Sequence, residues 1–126
     1  MSLLQNLLDG SAAGYFEIHL ADAPQVLPPA LATLVDATWE GYVASPAQIL
    51  QQGFLSSGYA YLNVEGFWRV TNPDPVQVWA AWLVAISGMT QQLVGYIGEP
   101  TFPEVIQGDP SFTLDLTFNI FSPPGT

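Results

Sequence analysis

Residues 79–98 read WAAWLVAISGMTQQLVGYIG and contain no charged side chain. A membrane-spanning helix, a buried helix and a pair of core strands can all have such a composition. A spanning helix needs about 20 consecutive apolar residues, but here SGMTQQ separates WAAWLVAI from LVGYIG. Two apolar runs of strand length around a Ser-Gly turn favour a β-hairpin over a buried helix or a membrane span.

A second strand pattern lies at residues 112–121, FTLDLTFNIF, where apolar and polar side chains alternate. The apolar positions are Phe112, Leu114, Leu116, Phe118 and Ile120. Alternation with period two is typical of an antiparallel strand with one face in the core and the other in solvent. We therefore expect a half-buried strand here.

Three further segments have the β-branched and aromatic composition of strands. The first is residues 14–21, with Tyr15, Glu17 and His19 on one face and Phe16, Ile18 and Leu20 on the other. The others are residues 38–43, with Gly41 at a bulge or a close backbone approach, and residues 59–71, a long strand bulged or bent at Gly66. Residues 45–57 have a loop-like pattern, and TNPDP, residues 71–75, predicts a turn.

Two short helices are expected, at residues 2–9 and 30–36. The first would place Leu3, Leu4, Leu7 and Leu8 on one face, which packs either on its own domain or on a neighbouring subunit. The prediction is a single mainly-β domain over residues 1–126, an antiparallel β-sandwich or open barrel with one or two short helices. Residues 1–10 form a possible N-terminal helical arm.

The charge balance excludes several partners. The chain has eleven carboxylates, one arginine, one histidine and no lysine, for a net charge of −10. Such a surface repels phosphate backbones and anionic lipids, so we expect neither nucleic acid nor a membrane as partner. The mean hydropathy of +0.29 is high for a 13.6 kDa chain. We expect apolar side chains to remain on the surface and to serve an oligomer interface or lattice contact.

Few catalytic arrangements can be assembled from these residues. Without cysteine or lysine there is neither a thiolate nor a Schiff-base amine, and His19 is the sole histidine. His19 fits a solvated or packed side chain better than a catalytic base. The acids Glu99, Glu104 and Asp109 share one loop but lack the spacing of a calcium site. We therefore expect no enzymatic activity, no metal and no cofactor.

The sole arginine and the aromatic side chains each admit more than one interpretation. Arg69, the sole arginine, lies between Trp68 and Val70 and is expected to pair with a carboxylate or to lie over an aromatic ring. The tryptophan and tyrosine side chains are expected to fill the core or an interface. A platform on which sugar rings stack is the alternative.

Residues 31–46, LATLVDATWEGYVASP, resemble a segment of small virion proteins of tailed bacteriophages, in which a short helical turn leads into a strand. The matching positions are Thr33, Asp36, Ala37, Trp39, Gly41 and Tyr42, with Gly95 and Tyr96 in a later strand. The resemblance implies a mainly-β fold, no enzymatic activity and a place on the capsid or tail surface.

On that basis we expect a capsid decoration protein at the virion surface, assembled as a homo-oligomer. Its partners would be identical subunits and major capsid or tail proteins. The contacts expected are Leu3, Leu4, Leu7 and Leu8 of the arm, with the tryptophans Trp68, Trp79 and Trp82. The alternative is a carbohydrate- or receptor-binding module of a tail tip or fibre.

Overall fold

The computed structural model describes residues 13–27, 29–54, 60–71, 75–98, 102, 104–106 and 111–119. Within these residues the chain forms nine strands and no helix. The strands are β1 Tyr15–Ala21, β2 Ser45–Pro46, β3 Gln48–Phe54, β4 Ala60–Arg69, β5 Val76–Val78, β6 Ala80–Ser87, β7 Thr90–Ile97, β8 Glu104–Ile106 and β9 Ser111–Asn119.

The strands form three antiparallel sheets. A four-stranded sheet has the order β2-β1-β6-β7, a three-stranded sheet has the order β3-β4-β9, and β5 pairs with β8. The mainly-β, antiparallel class expected from the sequence is confirmed. The two larger sheets pack against each other as in a β-sandwich, and their side chains meet in one core.

The hairpin expected in residues 79–98 is confirmed as β6 and β7. Gly88 and Met89 form the two-residue turn, and Gly88 has a φ of 60°. A positive φ at the first central position is typical of a type II′ turn, which suits the twist of paired strands. No helix among the described residues is long and apolar enough to cross a membrane.

The strand β6 is buried on both of its faces from Ala80 to Ile86, and all of these residues are apolar. Ala81, Leu83 and Ala85 point into the main core between the sheets. The alternate residues, including Trp82 and Val84, form a second apolar cluster on the outer face. This outer face has its own cover, to which Leu34, Leu93 and Tyr96 contribute.

The alternation expected in β1 and β9 is also confirmed. Phe16, Ile18 and Leu20 of β1 are buried, whereas the residues between them are partly exposed. In β9, Leu116 and Phe118 are buried and the intervening Asp115 and Thr117 face solvent. Residues 120 and 121 of the expected strand lie outside the described residues.

Several expectations for the region between β1 and β4 were wrong. The helix expected at residues 30–36 is a single turn, in which Thr33 N and Leu34 N both donate to Ala30 O over 3.0 Å. It cannot continue, because Ala37 N donates instead to Leu20 O of β1 over 2.7 Å. The segment expected as a loop, residues 45–57, contains the strands β2 and β3. The arm expected at residues 1–10 lies outside the described residues.

The strand expected at residues 38–43 is instead a turn. Gly41 has a φ of 92°, which a side chain rarely tolerates. A Cβ at this position would lie 3.2 Å from Thr71 N and 3.3 Å from Arg69 O. The close backbone approach expected at Gly41 is therefore confirmed, although the strand around it is not.

Gly66 does not bend β4, which pairs with β9 in unbroken register from Tyr61 to Arg69. The irregularity falls in the partner strand β3, between Ile49 and Gln51. Gly66 serves instead to admit the ring of Trp68, which would overlap a Cβ at this position, and the Ile18 side chain, 3.0 Å from it. The glycine is a packing requirement of the core.

We expect Gly66→Ala to lower the free energy of unfolding by about 1–3 kcal/mol, because the added methyl group displaces a buried tryptophan ring. Urea denaturation followed by tryptophan fluorescence measures this loss. Thr113→Ala, at an exposed site of the adjacent strand, is the control and should change stability by about 0.5 kcal/mol or less. Equal stability of Gly66→Ala and the parent chain would contradict this packing.

Candidate functional site

The long connection after β1 contains a closed surface loop, of which residues 22–27 and 29–38 are described and are called the apolar loop. Its ends are joined by Asp22 Oδ2, which accepts hydrogen bonds from Thr38 N at 2.8 Å and from Thr38 Oγ1 at 3.0 Å. Further in, Val35 N donates to Gln25 Oε1 over 2.7 Å. A loop of this length whose ends lie together has the form of an Ω-loop, a type of segment that is frequently functional.

The apolar loop presents large aliphatic side chains to solvent. Val26, Leu27 and Val35 are 65%, 64% and 62% exposed, and Leu31 is 38% exposed. No charged residue occurs between Asp22 and Asp36. Leu34 alone among the large residues at 31–35 turns inward, where it packs against the cluster around Trp82. Leu34 thus attaches the loop to the outer face of β6, while the large exposed side chains of the loop are aliphatic.

The uncharged polar side chains between Asp22 and Asp36, Gln25 and Thr33, bond within the loop. Gln25 Nε2 donates to Ala23 O over 2.8 Å while its Oε1 accepts from Val35 N. Thr33 Oγ1 donates to Ala30 O over 3.2 Å. Covering the loop with another apolar surface would therefore leave neither side chain without a partner, so the usual penalty for burying a polar group is avoided.

A histidine network lies at the base of the apolar loop. His19 Nδ1 lies 2.6 Å from Asp36 Oδ2, and His19 Nε2 lies 2.7 Å from Glu17 Oε1. The imidazole stacks on the Trp82 indole, with ring centroids 5.5 Å apart and an interplanar angle of 9°. A carboxylate oxygen accepts at each ring nitrogen, so both nitrogens donate and the ring carries a positive charge.

The pKa values in this network favour the charged forms of the pair. Burial alone would lower the pKa of His19, but the hydrogen bond and charge of Asp36, reinforced by Glu17, outweigh burial and raise it above 6.5. Burial would raise the pKa of Asp36, but hydrogen bonds from His19 and Tyr42 outweigh it and lower the pKa below 3.8. Both shifts widen the pH range over which the two groups are charged together, and the charged pair joins the connection to β1.

Tyr42 completes the attachment of the connection to β1. Its hydroxyl donates to Asp36 Oδ2 over 2.7 Å and accepts from Leu20 N over 3.0 Å. Burial is the main reason that the pKa of Tyr42 lies far above its usual value, and the nearby Asp36 carboxylate raises it further. The phenol therefore stays protonated. The short strand β2 pairs with Glu17 and Ile18 only. Beyond it, the backbone N–H and C=O of Leu20 on this strand edge are hydrogen-bonded by the Tyr42 hydroxyl and by Ala37 N.

The far end of the connection is fastened to the end of β4. Trp39 Nε1 donates to Arg69 O over 2.9 Å, and Thr71 N donates to Glu40 O over 2.8 Å. The Trp39 ring also meets the Tyr42 ring edge to face, with centroids 5.1 Å apart. The connection is therefore bonded to both large sheets.

The positions that carry the phage resemblance fall mostly into this attachment. Asp36, Ala37, Trp39, Gly41 and Tyr42 all make the contacts described above, and Thr33 lies in the turn of the apolar loop. The later pair lies elsewhere: Gly95 of β7 abuts Phe118 and Asn119 of β9, where the two sheets meet. Asp36, Ala37, Trp39, Gly41 and Tyr42 thus attach the connection to the two sheets, whereas Gly95 packs between β7 and β9.

The predicted contact residues are placed very differently. Trp68 and Trp82 are 1% and 2% exposed, so the expectation that their rings lie on the surface was wrong. Trp68 fills the space over Gly66 and stacks on Phe112, and Trp82 lies beneath His19. Trp79 is partly exposed and remains available for contact. Leu3, Leu4, Leu7 and Leu8 lie outside the described residues.

Other candidate residues do not converge on one site. Arg69 lies over the Phe67 ring, 5.9 Å from its centroid, as one of the two expectations for it required. Glu104 is exposed on β8, and its expected neighbours Glu99 and Asp109 lie outside the described residues. Where the chain is described, no group of three histidine, cysteine or acidic residues is placed to hold a metal ion.

A shallow cleft of about 400 Å³ opens at the seam between β7 and β9. Tyr96, Asp115, Thr117 and Asn119 line it together with the apolar Ile97 and Leu116. Asn63 donates a hydrogen bond to Asp115 and another, over 3.2 Å, to Thr117 Oγ1, which orders the polar wall. One aromatic ring is present among the described lining residues, whereas a sugar-stacking platform calls for two or three.

Comparison of the chain with protein-family models, with curated proteins and with solved structures finds no match.

We expect His19→Gln to lower the free energy of unfolding by about 1.5–3 kcal/mol at pH 6, the range for hydrogen bonds to charged groups. The folded pKa of His19 is raised, so its stabilisation is complete below the unfolded value of about 6.5 and is lost as the pH rises through the folded value. Urea denaturation at a series of pH values measures both quantities. The stability difference should shrink on the alkaline side; a difference that stays constant with pH would show that the charge of His19 contributes nothing.

Proposed function

We propose that this chain is a non-enzymatic structural protein of a tailed-bacteriophage particle, a capsid decoration protein that assembles as a homo-oligomer at the virion surface. Its action is adhesive. Apolar side chains make the contacts with identical subunits and with the shell, while outward carboxylates keep the particle soluble.

The apolar loop is the observation that carries this proposal. Solvent-exposed aliphatic side chains concentrated in one segment are a feature of interaction surfaces, and four of them occur here within residues 26–35. The loop is also held in one shape by hydrogen bonds at its neck and base, so little ordering is required when a partner binds. A preorganised apolar surface of this kind is expected of a protein that functions by binding other subunits.

The histidine network supports a structural role in a second way. His19 has both ring nitrogens bonded to carboxylates and one face against Trp82. A general base needs a free nitrogen within reach of a substrate proton. The side chain best suited to acid–base chemistry is instead used to join the connection to the sheet.

The cleft between β7 and β9 supports the second candidate, a carbohydrate- or receptor-binding module of a tail tip or fibre. Its volume of about 400 Å³ is within the range of small-ligand sites, and its carboxylate, amide and hydroxyl groups suit the hydroxyls of a neutral sugar. A glycan array probed with the labelled chain tests this. Binding that Asp115→Asn abolishes would favour this candidate.

The particle itself tests the first candidate. We expect quantitative mass spectrometry of purified virions, from a phage that encodes this sequence, to find the chain in a fixed ratio to the major capsid protein, because a decoration protein occupies repeated lattice sites. A replication protein of the same phage is the control for contamination. Absence from the virion would contradict the proposal, and a few copies per particle would indicate the tail.

A further inference from the structure

We infer that the apolar loop is the self-association surface of this chain, and that two copies pack with loop against loop. The inference deepens the proposed function, because it names the surface through which the proposed homo-oligomer forms. Four side chains, Val26, Leu27, Leu31 and Val35, would form the centre of that contact.

The distribution of charge selects this surface for contact between identical chains. Each copy carries a net charge of −10, so most pairs of faces would bring carboxylates together, and like charges in contact oppose association. Residues 23–35 contain none. The apolar loop is a place where two such copies can touch without opposing carboxylates.

The acids at the base of the loop are already partnered within the chain. The His19 imidazolium lies between Asp36 and Glu17 and offsets part of their negative charge. Asp22 accepts two hydrogen bonds from Thr38. Glu17 and Asp36 are therefore weaker sources of repulsion between two copies than two unpaired carboxylates would be.

The loop also meets the structural conditions for a dry interface. Gln25 and Thr33 bond within the loop, so burying it leaves neither without a partner. The hydrogen bonds between Asp22 and Thr38 and the packing of Leu34 fix the shape of the loop before it contacts a partner. Two copies related by a two-fold axis, the commonest symmetry of soluble oligomers, would bring the same patch of each chain together.

The size of the contact is consistent with a dimer that depends on concentration. A stable interface buries about 800 Å² on each partner and uses about 20–30 residues. The exposed part of the apolar loop spans about ten residues, so it supplies the centre of an interface and leaves its rim to flanking surface. We therefore expect a reversible dimer rather than a permanent one.

Sedimentation equilibrium of the purified full chain tests this inference. The parent chain should show a monomer–dimer equilibrium that tightens as salt is raised, because salt screens the repulsion between two acidic copies. The double variant Val26→Ser, Leu27→Ser should raise the dissociation constant at least about 100-fold, since two buried aliphatic side chains are lost from each copy. Circular dichroism verifies that the variants are folded.

The matched control is Val105→Ser, which changes an equally exposed valine, 63% against 65% for Val26, on the separate strand β8. It should leave the dissociation constant unchanged. A parent chain that is monomeric at every concentration, or a loop variant that associates as the parent does, would overturn the inference. So would association that weakens with salt, because that result indicates a contact held by opposite charges rather than by apolar side chains.

These outcomes are independent of the test by virion composition. A chain that is monomeric in solution but present in a fixed ratio in virions would overturn the self-association surface and leave the proposed function standing. A dimer formed through the loop by a chain absent from virions would do the reverse.

Discussion

The Asp36 carboxylate joins the long connection after β1 to the sheet, and the surface of this protein depends on that junction. One of its oxygens accepts from both His19 and Tyr42, and the Tyr42 hydroxyl in turn accepts from Leu20 N on the strand edge. Three consequences follow from this arrangement. The edge of β1 is covered beyond β2, the Trp82 ring has an imidazole stacked on it, and the apolar loop projects from a fixed base.

The chain separates its two kinds of surface. The eleven carboxylates favour solubility, while four of the exposed aliphatic side chains lie together in a stretch of sequence without charge. Its histidine supplies a positive charge where two acids approach each other, and this permits an acidic chain to fold a connection tightly onto an acidic strand. The ionisable groups of the site thus serve to position a contact surface, which is why we interpret the molecule as adhesive rather than catalytic.

Period-two patterns and turn residues were sufficient to predict β1, β9 and the β6–β7 hairpin, because each depends on local alternation. The pattern failed where a distant residue decides the outcome. Ala37 is drawn out of a helix by Leu20 O, and Asp36 meets a histidine 17 residues away. Trp82 was expected among the contact residues, but the cover over the outer face of β6 buries it. The alternation correctly placed Glu17 and His19 on one face of β1. It could not predict that Asp36 lies beside them, because Asp36 is distant in the sequence.

Amide hydrogen exchange at Leu20, in the parent chain and in Tyr42→Phe, tests the central claim most directly. The account predicts a protected Leu20 amide in the parent, because the Tyr42 hydroxyl accepts its hydrogen bond. In Tyr42→Phe this amide and that of Ala37 should lose protection while β6 and β7 keep theirs. Tyr15→Phe, at a ring that is 50% exposed, should leave the pattern unchanged. A Leu20 amide that exchanges freely in the parent, or is equally protected without the hydroxyl, would contradict the account.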